Sequence, residues 1–271
     1  MALQTRMVNV TQNNNLENLG FSFSAGGAHL ARTMMLPELT QLFEFLPEAT
    51  ATKAAYFEAI VDDNCLSKRS ARTRLLTARH LADLYGLDNA FLLFRALKFF
   101  WYRAEAARPQ LALLLAYARD PILRMSAKHI LSASPGVQIQ RQGIEDIISN
   151  QFPDRFSEAT LKSTAQNINA TWTQAGYLTG KAKKMRCTSE ASEAAVCFAL
   201  LMAYLRGTRG EELFTSEYVQ LLDCRPDKAI DLIEASARKG WAVFKRVGSV
   251  VEVAFPSLIN QKEMEWVREQ A

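Results

Sequence analysis

The sequence predicts a mainly α-helical fold: a helical bundle followed by winged-helix-like units with short β-hairpins. Three observations lead there. Ser157 to Thr188 (SEATLKSTAQNINATWTQAGYLTGKAKKMRCT) carries an apolar stripe at helical spacing, a glycine stop, and then a turn flanked by two strand-like runs. The same order of elements recurs between Thr215 and Phe255. Ahead of both, residues 24–134 are a succession of Leu-, Ala- and Phe-rich segments of helical period, punctuated by proline.

In chain order, residues 1–23 read as a polar, flexible leader (NVTQNNNLEN). Ser24 to Met35, Pro37 to Leu46 and Ala51 to Asp62 read as three short helices opening an N-terminal helical domain, 24–134. Ser67 to Tyr85 follows, with Ala71, Leu75, Ala78 and Ala82 as its expected buried stripe and Gly86 as its stop. Asp88 is placed to cap an apolar helix, Asn89 to Ala106, whose aromatic residues occur on nearly every side and so belong to a core. Pro109 to Arg119 and Pro121 to Ala133 add two more helices.

A winged-helix-like unit with a basic hairpin is expected at 135–188. Gln142 to Asn150 supplies its shorter helix and Phe152-Pro153 the break. Ser157 is the N-cap of the longer one, which buries Leu161, Ala165, Ile168, Trp172 and Ala175. Tyr177 to Leu178 and Lys184 to Cys187 flank the Gly180 turn as a wing. A C-terminal helical, winged-helix-like unit fills 189–271: an apolar helix at Ser189 to Arg206, short and long helices at Thr215 to Asp223 and Pro226 to Lys239, a hairpin around Gly248-Ser249, and a terminal helix at Lys262 to Gln270.

The net charge of +4 is unevenly spread, and its distribution says more than its size. Asp154 to Cys187 holds six Lys and Arg against two acids, and Leu66 to Arg108 holds nine against three; residues 188–271 are net acidic. In a winged helix the longer helix enters the major groove and the wing lies along a phosphate backbone. Asn and Gln can bond adenine edges while Lys and Arg neutralise phosphate, so the candidate DNA-binding residues are Lys162, Gln166, Asn167, Asn169, Lys181, Lys183, Lys184 and Arg186. Lys68, Arg69, Arg72, Arg74 and Arg79 form a second candidate set. Cations in a first helical turn oppose the helix dipole, which asks for a compensating anion such as phosphate. The bland alternative is a solvated helix face whose cations pair with acids on neighbouring helices. The C-terminal unit carries Asp227, Asp231 and Glu234 on its long helix, which suits packing or protein contact better than DNA.

Other chemistries leave no trace. There is no glycine-rich phosphate loop, GxSxG elbow or HExxH, so neither an enzyme nor a small-molecule substrate is expected. Four scattered cysteines and three distant histidines suggest no metal site, disulfide framework or cofactor, and point to a reducing cytoplasm. The longest apolar runs, Leu111 to Ala118 and Ala194 to Leu205, are too short to span a bilayer, so no membrane partner is expected.

The stretches NCLSKRSARTRLLTARHLADL (Asn64 to Leu84), FSEATLKSTAQNINATWTQAGYLTGKAKKMRCTSE (Phe156 to Glu190) and GWAVFKRVGSVVEVAF (Gly240 to Phe255), with the Asp120-Pro121 step, resemble the BrxA family of the bacteriophage exclusion (BREX) defence systems. The resemblance covers most of residues 24–256. It implies a small, helical, non-enzymatic component that binds double-stranded DNA and is encoded beside a methyltransferase, an ATPase and a phosphatase-like protein, its potential partners. It transfers no catalytic residue. Two other classes stay open: a helical scaffold binding an acidic protein partner, and an RNA-binding helical module of the antitermination-factor type.

Overall fold

The structure, a computed structural model, describes residues 14–23, 26–47, 50–248 and 250–268. In chain order its elements are α1 (residues 14–19), a 3-10 turn at Ala28–Leu30, α2 (Leu36–Phe45), α3 (Lys53–Val61), α4 (Ala71–Tyr85), α5 (Leu92–Trp101), α6 (Arg108–Arg119), α7 (Pro121–Leu131), β1 (Gln138–Ile139), α8 (Arg141–Gln151), α9 (Glu158–Gln174), β2 (Leu178–Thr179), β3 (Lys184–Arg186), α10 (Glu193–Leu205), a 3-10 helix at Gly210–Thr215, α11 (Glu217–Leu221), α12 (Pro226–Arg238), β4 (Val243–Val247), β5 (Val250–Ala254) and α13 (Gln261–Arg268). The fold is mainly α-helical with short hairpins. The chain divides into two interleaved units, the first made of residues 1–23, 90–114 and 189–271, the second of 24–89 and 115–188. The boundary expected at 134/135 therefore falls inside the second unit, and residues 90–114 leave the N-terminal segment for the first.

The second unit contains a winged helix assembled as α7, β1, α8, α9, β2 and β3. Its sheet has the order β1-β3-β2, antiparallel throughout, with Gln138 opposite Met185 and Leu178 opposite Arg186. Ser157 caps α9, its hydroxyl accepting from the Thr160 N–H at 3.3 Å, a bond that satisfies one of the orphan donors of the first turn. Trp172 is fully buried, edge-on to Tyr177 at 5.3 Å, and its indole N–H donates to Ser126 Oγ at 2.9 Å. Gly180 has φ +91° and a Cβ there would lie 2.2 Å from the Lys183 carbonyl oxygen, so the wing turn needs a glycine on both counts.

The first unit repeats the plan with α10, the Gly210–Thr215 turn, α11, α12, β4 and β5. Where β1 stands in the second unit, this 3-10 turn precedes the short helix, and its sheet has two strands. α10 is buried on every side; Phe100 of α5 packs against Phe198 at 6.0 Å and Trp241 at 5.7 Å. Asn260 and Glu263 exchange backbone-to-side-chain bonds of 2.9 Å each way, a capping box that starts α13, and Arg95 reaches the buried Glu263 at 2.5 Å.

Several expectations need correction. Residues 14–23 are not a flexible leader, because Leu16, Leu19 and Phe21 are buried in the first unit; residues 1–13 lie outside the described residues. The segment expected as a helix from Ser24 to Met35 holds only the 3-10 turn at Ala28–Leu30, and residues 24–25 lie outside the described residues. α4 starts at Ala71 with Ser70 as its cap, so Lys68 and Arg69 belong to the preceding loop. Its buried side is Thr77, Ala78, Leu81, Leu84 and Tyr85, while Leu75 is 37% exposed and Ala71 is exposed. The N-cap of α5 is Phe91 rather than Asp88.

Candidate nucleic-acid interface

α9 has two halves with different surroundings. Its C-terminal half is covered by the chain's own residues 29–36. Asn167 donates to the His29 carbonyl at 3.1 Å, the Met34 N–H donates to Thr171 Oγ1 at 2.8 Å, and the Gln174 amide donates to Thr33 Oγ1 at 3.4 Å. A buried chain of bonds fixes that cover: Thr171 Oγ1 lies 2.8 Å from His29 Nε2, and His29 Nδ1 lies 2.8 Å from Asp120 Oδ2. Asp120 also caps α7 through the Ile122 and Leu123 N–H groups, and Gly27 passes so close that a Cβ would sit 2.2 Å from its Oδ1. Burial by itself would push the Asp120 carboxyl up, but the His29 imidazole beside it, together with the Leu123 and His29 backbone N–H groups, holds it below the ordinary carboxylate value.

The N-terminal half of α9 is open. Ala159, Lys162, Ser163 and Gln166, at i, i+3, i+4 and i+7, are exposed and share one face. This is the half that a helix-turn-helix presents to base edges. Lys181 and Lys183 are exposed in the wing turn, and no ion pair engages either of them among the described residues. Arg155, which was not singled out from the sequence, stands in the turn just before the Ser157 cap with its guanidinium over both Phe152 and Phe156.

The remaining candidates divide differently. Asn167 and Asn169 face inward, Asn167 bonded to His29 and Asn169 buried, so neither can reach a groove: one residue of helix rotation is 100°, which the sequence spacing left unresolved here. Arg186 is 2% exposed and structural. It donates to the Ile130 carbonyl at 3.1 Å and to the Cys187 carbonyl, and lies over the Tyr177 ring at 5.5 Å. Lys184 is half-buried and donates to the Gly180 carbonyl at 2.7 Å, closing its own turn. In the second set, Lys68 pairs with Glu38 at 3.0 Å and Arg74 donates to the Val61 carbonyl at 2.7 Å, so both are tied to neighbouring elements. Arg69, Arg72 and Arg79 remain exposed without an ion pair among the described residues. Among the described residues no hydrogen bond or ion pair joins them to α9 or the wing.

The charge follows the architecture. The second unit holds seventeen Lys and Arg against thirteen Asp and Glu, which is the whole net charge of +4, and the first unit is balanced at fifteen of each. Among the described residues no group of three His, Cys, Asp or Glu is arranged to hold a metal, and no helix is long and apolar enough to cross a membrane. All four cysteines are free thiols; burial and the nearby Asp63 push the Cys65 thiol up to about 11, so it is protonated at neutral pH.

The fold and this surface define a mainly α-helical protein of winged-helix-like units. Among solved structures it is similar to SspB, known from a crystal structure, with a TM-score of 0.55 over 94% of this chain and 99% of that one at 10% sequence identity, a likeness of fold alone. No family model matches the chain, and no curated protein matches it.

Proposed function

We propose that the chain is a non-enzymatic double-stranded DNA-binding component of a BREX phage-defence system, acting through the winged helix of its second unit. One observation carries the DNA reading: the uncovered half of α9 presents Lys162, Ser163 and Gln166, and the wing of the same unit presents Lys181 and Lys183. With two groups able to read bases and several able to neutralise phosphate, binding is largely sequence-tolerant and electrostatic. Arg69, Arg72 and Arg79 offer a further phosphate contact, whereas Lys68 and Arg74 serve the fold.

A titration of the purified protein with duplex DNA, single-stranded DNA and hairpin RNA at two salt concentrations tests this. Duplex binding that falls steeply with salt supports the reading. A preference for hairpin RNA moves the protein to the antitermination-like class, because an A-form helix presents different grooves. Indifference to nucleic acid at low salt leaves the scaffold reading.

The first unit favours a protein contact alongside. The tip of its wing carries Val247 at 80% and Val250 at 71% exposure, and α12 turns Asp227, Asp231 and Glu234 to solvent. Acids repel phosphate, and exposed valines suit an apolar partner surface such as another subunit of the same system.

A further inference from the structure

The turn between α8 and α9 contains an arrangement that packing alone does not require. Phe152 and Phe156 are half-buried and meet edge-to-face at 5.8 Å, and the Arg155 guanidinium lies over both rings, 5.0 Å from one centroid and 5.3 Å from the other. Both distances are within the range of cation–π attraction. Asp154 takes a left-handed backbone at φ 57°, and the Arg155 N–H closes the turn on the Phe152 carbonyl at 3.3 Å. The acids on either side, Asp154 and Glu158, make no ion pair with Arg155, and no hydrogen bond engages its guanidinium among the described residues. The cation thus rests against two aromatic rings set nearly perpendicular to each other, and no protein acceptor engages its N–H groups among the described residues.

An ordinary surface arginine keeps its rotamer freedom and its water. Holding one still costs side-chain entropy, and the return comes when the fixed N–H fork meets a planar or tetrahedral oxyanion, because less freedom is then lost on binding. The position points to the kind of oxyanion. Arg155 stands two residues before the Ser157 cap of α9, at the end of the helix whose exposed face carries Lys162 and Gln166. In a helix-turn-helix, that end of the recognition helix lies at the edge of the major groove, where backbone phosphates flank the bases.

Resting on the duplex-binding reading above, we propose that Arg155, held against the Phe152 and Phe156 rings, is a pre-organised anchor for one DNA backbone phosphate and sets the entry of α9 into the groove. Its contribution comes from being held as well as from its charge. A lysine at the same place keeps the charge but has neither the planar face that stacks nor the fork that binds phosphate bidentately.

The test compares the full-length wild type, R155A, R155K, the double variant F152L/F156L and the wing variant K181A/K183A on one short DNA duplex across a salt series, with thermal melts as a folding control. R155A is expected to weaken binding about tenfold and to reduce the salt slope by about one unit, the signature of one lost phosphate contact. R155K and F152L/F156L are expected to keep the wild-type slope and still bind several-fold more weakly, since they loosen the hold of the rings on the cation and leave the charge. If R155K binds as the wild type does, pre-organisation is wrong. If R155A binds as the wild type does while K181A/K183A binds more weakly, the anchor fails and the duplex-binding reading survives. Salt-independent or absent duplex binding by the wild type removes that reading and the anchor with it. Should F152L/F156L fail to fold, R155K decides alone.

Discussion

Arg186 and Lys181 belong to one hairpin and share a charge, yet their surroundings assign them different work. Truncating Arg186 removes the guanidinium donor from the Ile130 and Cys187 carbonyls and uncovers Tyr177, so R186A should lower stability by about 2–3 kcal/mol, read as a shift in the urea midpoint. K181A/K183A should leave that midpoint unchanged and weaken duplex binding, because neither lysine has an internal partner among the described residues. A second residue-scale prediction concerns acid. The Asp120 carboxyl is held below its ordinary value of 3.8 in the folded chain, so the unfolded chain takes up protons first as pH falls. The stability it contributes is complete above 3.8 and is lost as pH drops through the lower folded value. D120N should therefore cost about 3 kcal/mol at neutral pH, the usual consequence of breaking a buried pair, and should show a flatter loss of stability below 3.8 than the wild type. A D120N curve parallel to the wild type's would show that the Asp120 carboxyl is not held below its ordinary value in the folded chain.

At the scale of the element, α9 and α4 show what a pattern can and cannot carry. The position and length of α9, its Ser157 cap and its buried Ala165, Ile168 and Trp172 are legible because caps and apolar spacing act locally. The role of Asn167 is not legible, because it depends on residues 29–36 crossing the helix from far away in the chain. The same holds for α4, where the dipole argument needed Lys68 inside the first turn. Ser70 caps the helix instead, and Lys68 meets Glu38. β1 escaped notice because two residues, Gln138 and Ile139, carry no periodicity. One experiment separates the two faces of α9. K162A/Q166A should weaken duplex binding with unchanged melting temperature, whereas N167A should lower the melting temperature by removing the tie to His29, with binding by the folded protein intact. Reversed outcomes would place the covered face at the DNA.

For the whole molecule, the separation of charge sets an expectation for where nucleic acid docks. The second unit owns the net positive charge, and the first is balanced. K228E/R238E, on exposed positions of α12, should leave duplex affinity within about twofold of wild type, since no phosphate-facing cation is altered. Lys239 is unsuitable for such a test because it pairs with Glu193, and reversing it would set two glutamates against each other. A large loss of binding in K228E/R238E would move the DNA surface to the first unit. The helix–helix–hairpin order of both winged helices is readable from the sequence, whereas β1 and the Gly210–Thr215 3-10 helix are not. The grouping of 90–114 with 189–271 was not, because it rests on contacts such as Phe100 with Phe198 and Trp241 that no local pattern encodes.

That grouping makes the protein indivisible by a single cut. A polypeptide ending at residue 188 would keep α5 and lose α10 and the Trp241 region, leaving Phe100 without its Phe198 and Trp241 ring partners, and it should precipitate or bind hydrophobic dyes. Supplying residues 189–271 as a separate chain in the same cell should rescue it, because the missing piece restores the ring contacts without needing a peptide bond at 188/189. The protein should therefore behave as a complementing pair of fragments rather than as a string of transplantable modules, and grafting its C-terminal winged helix elsewhere would require carrying α5 along.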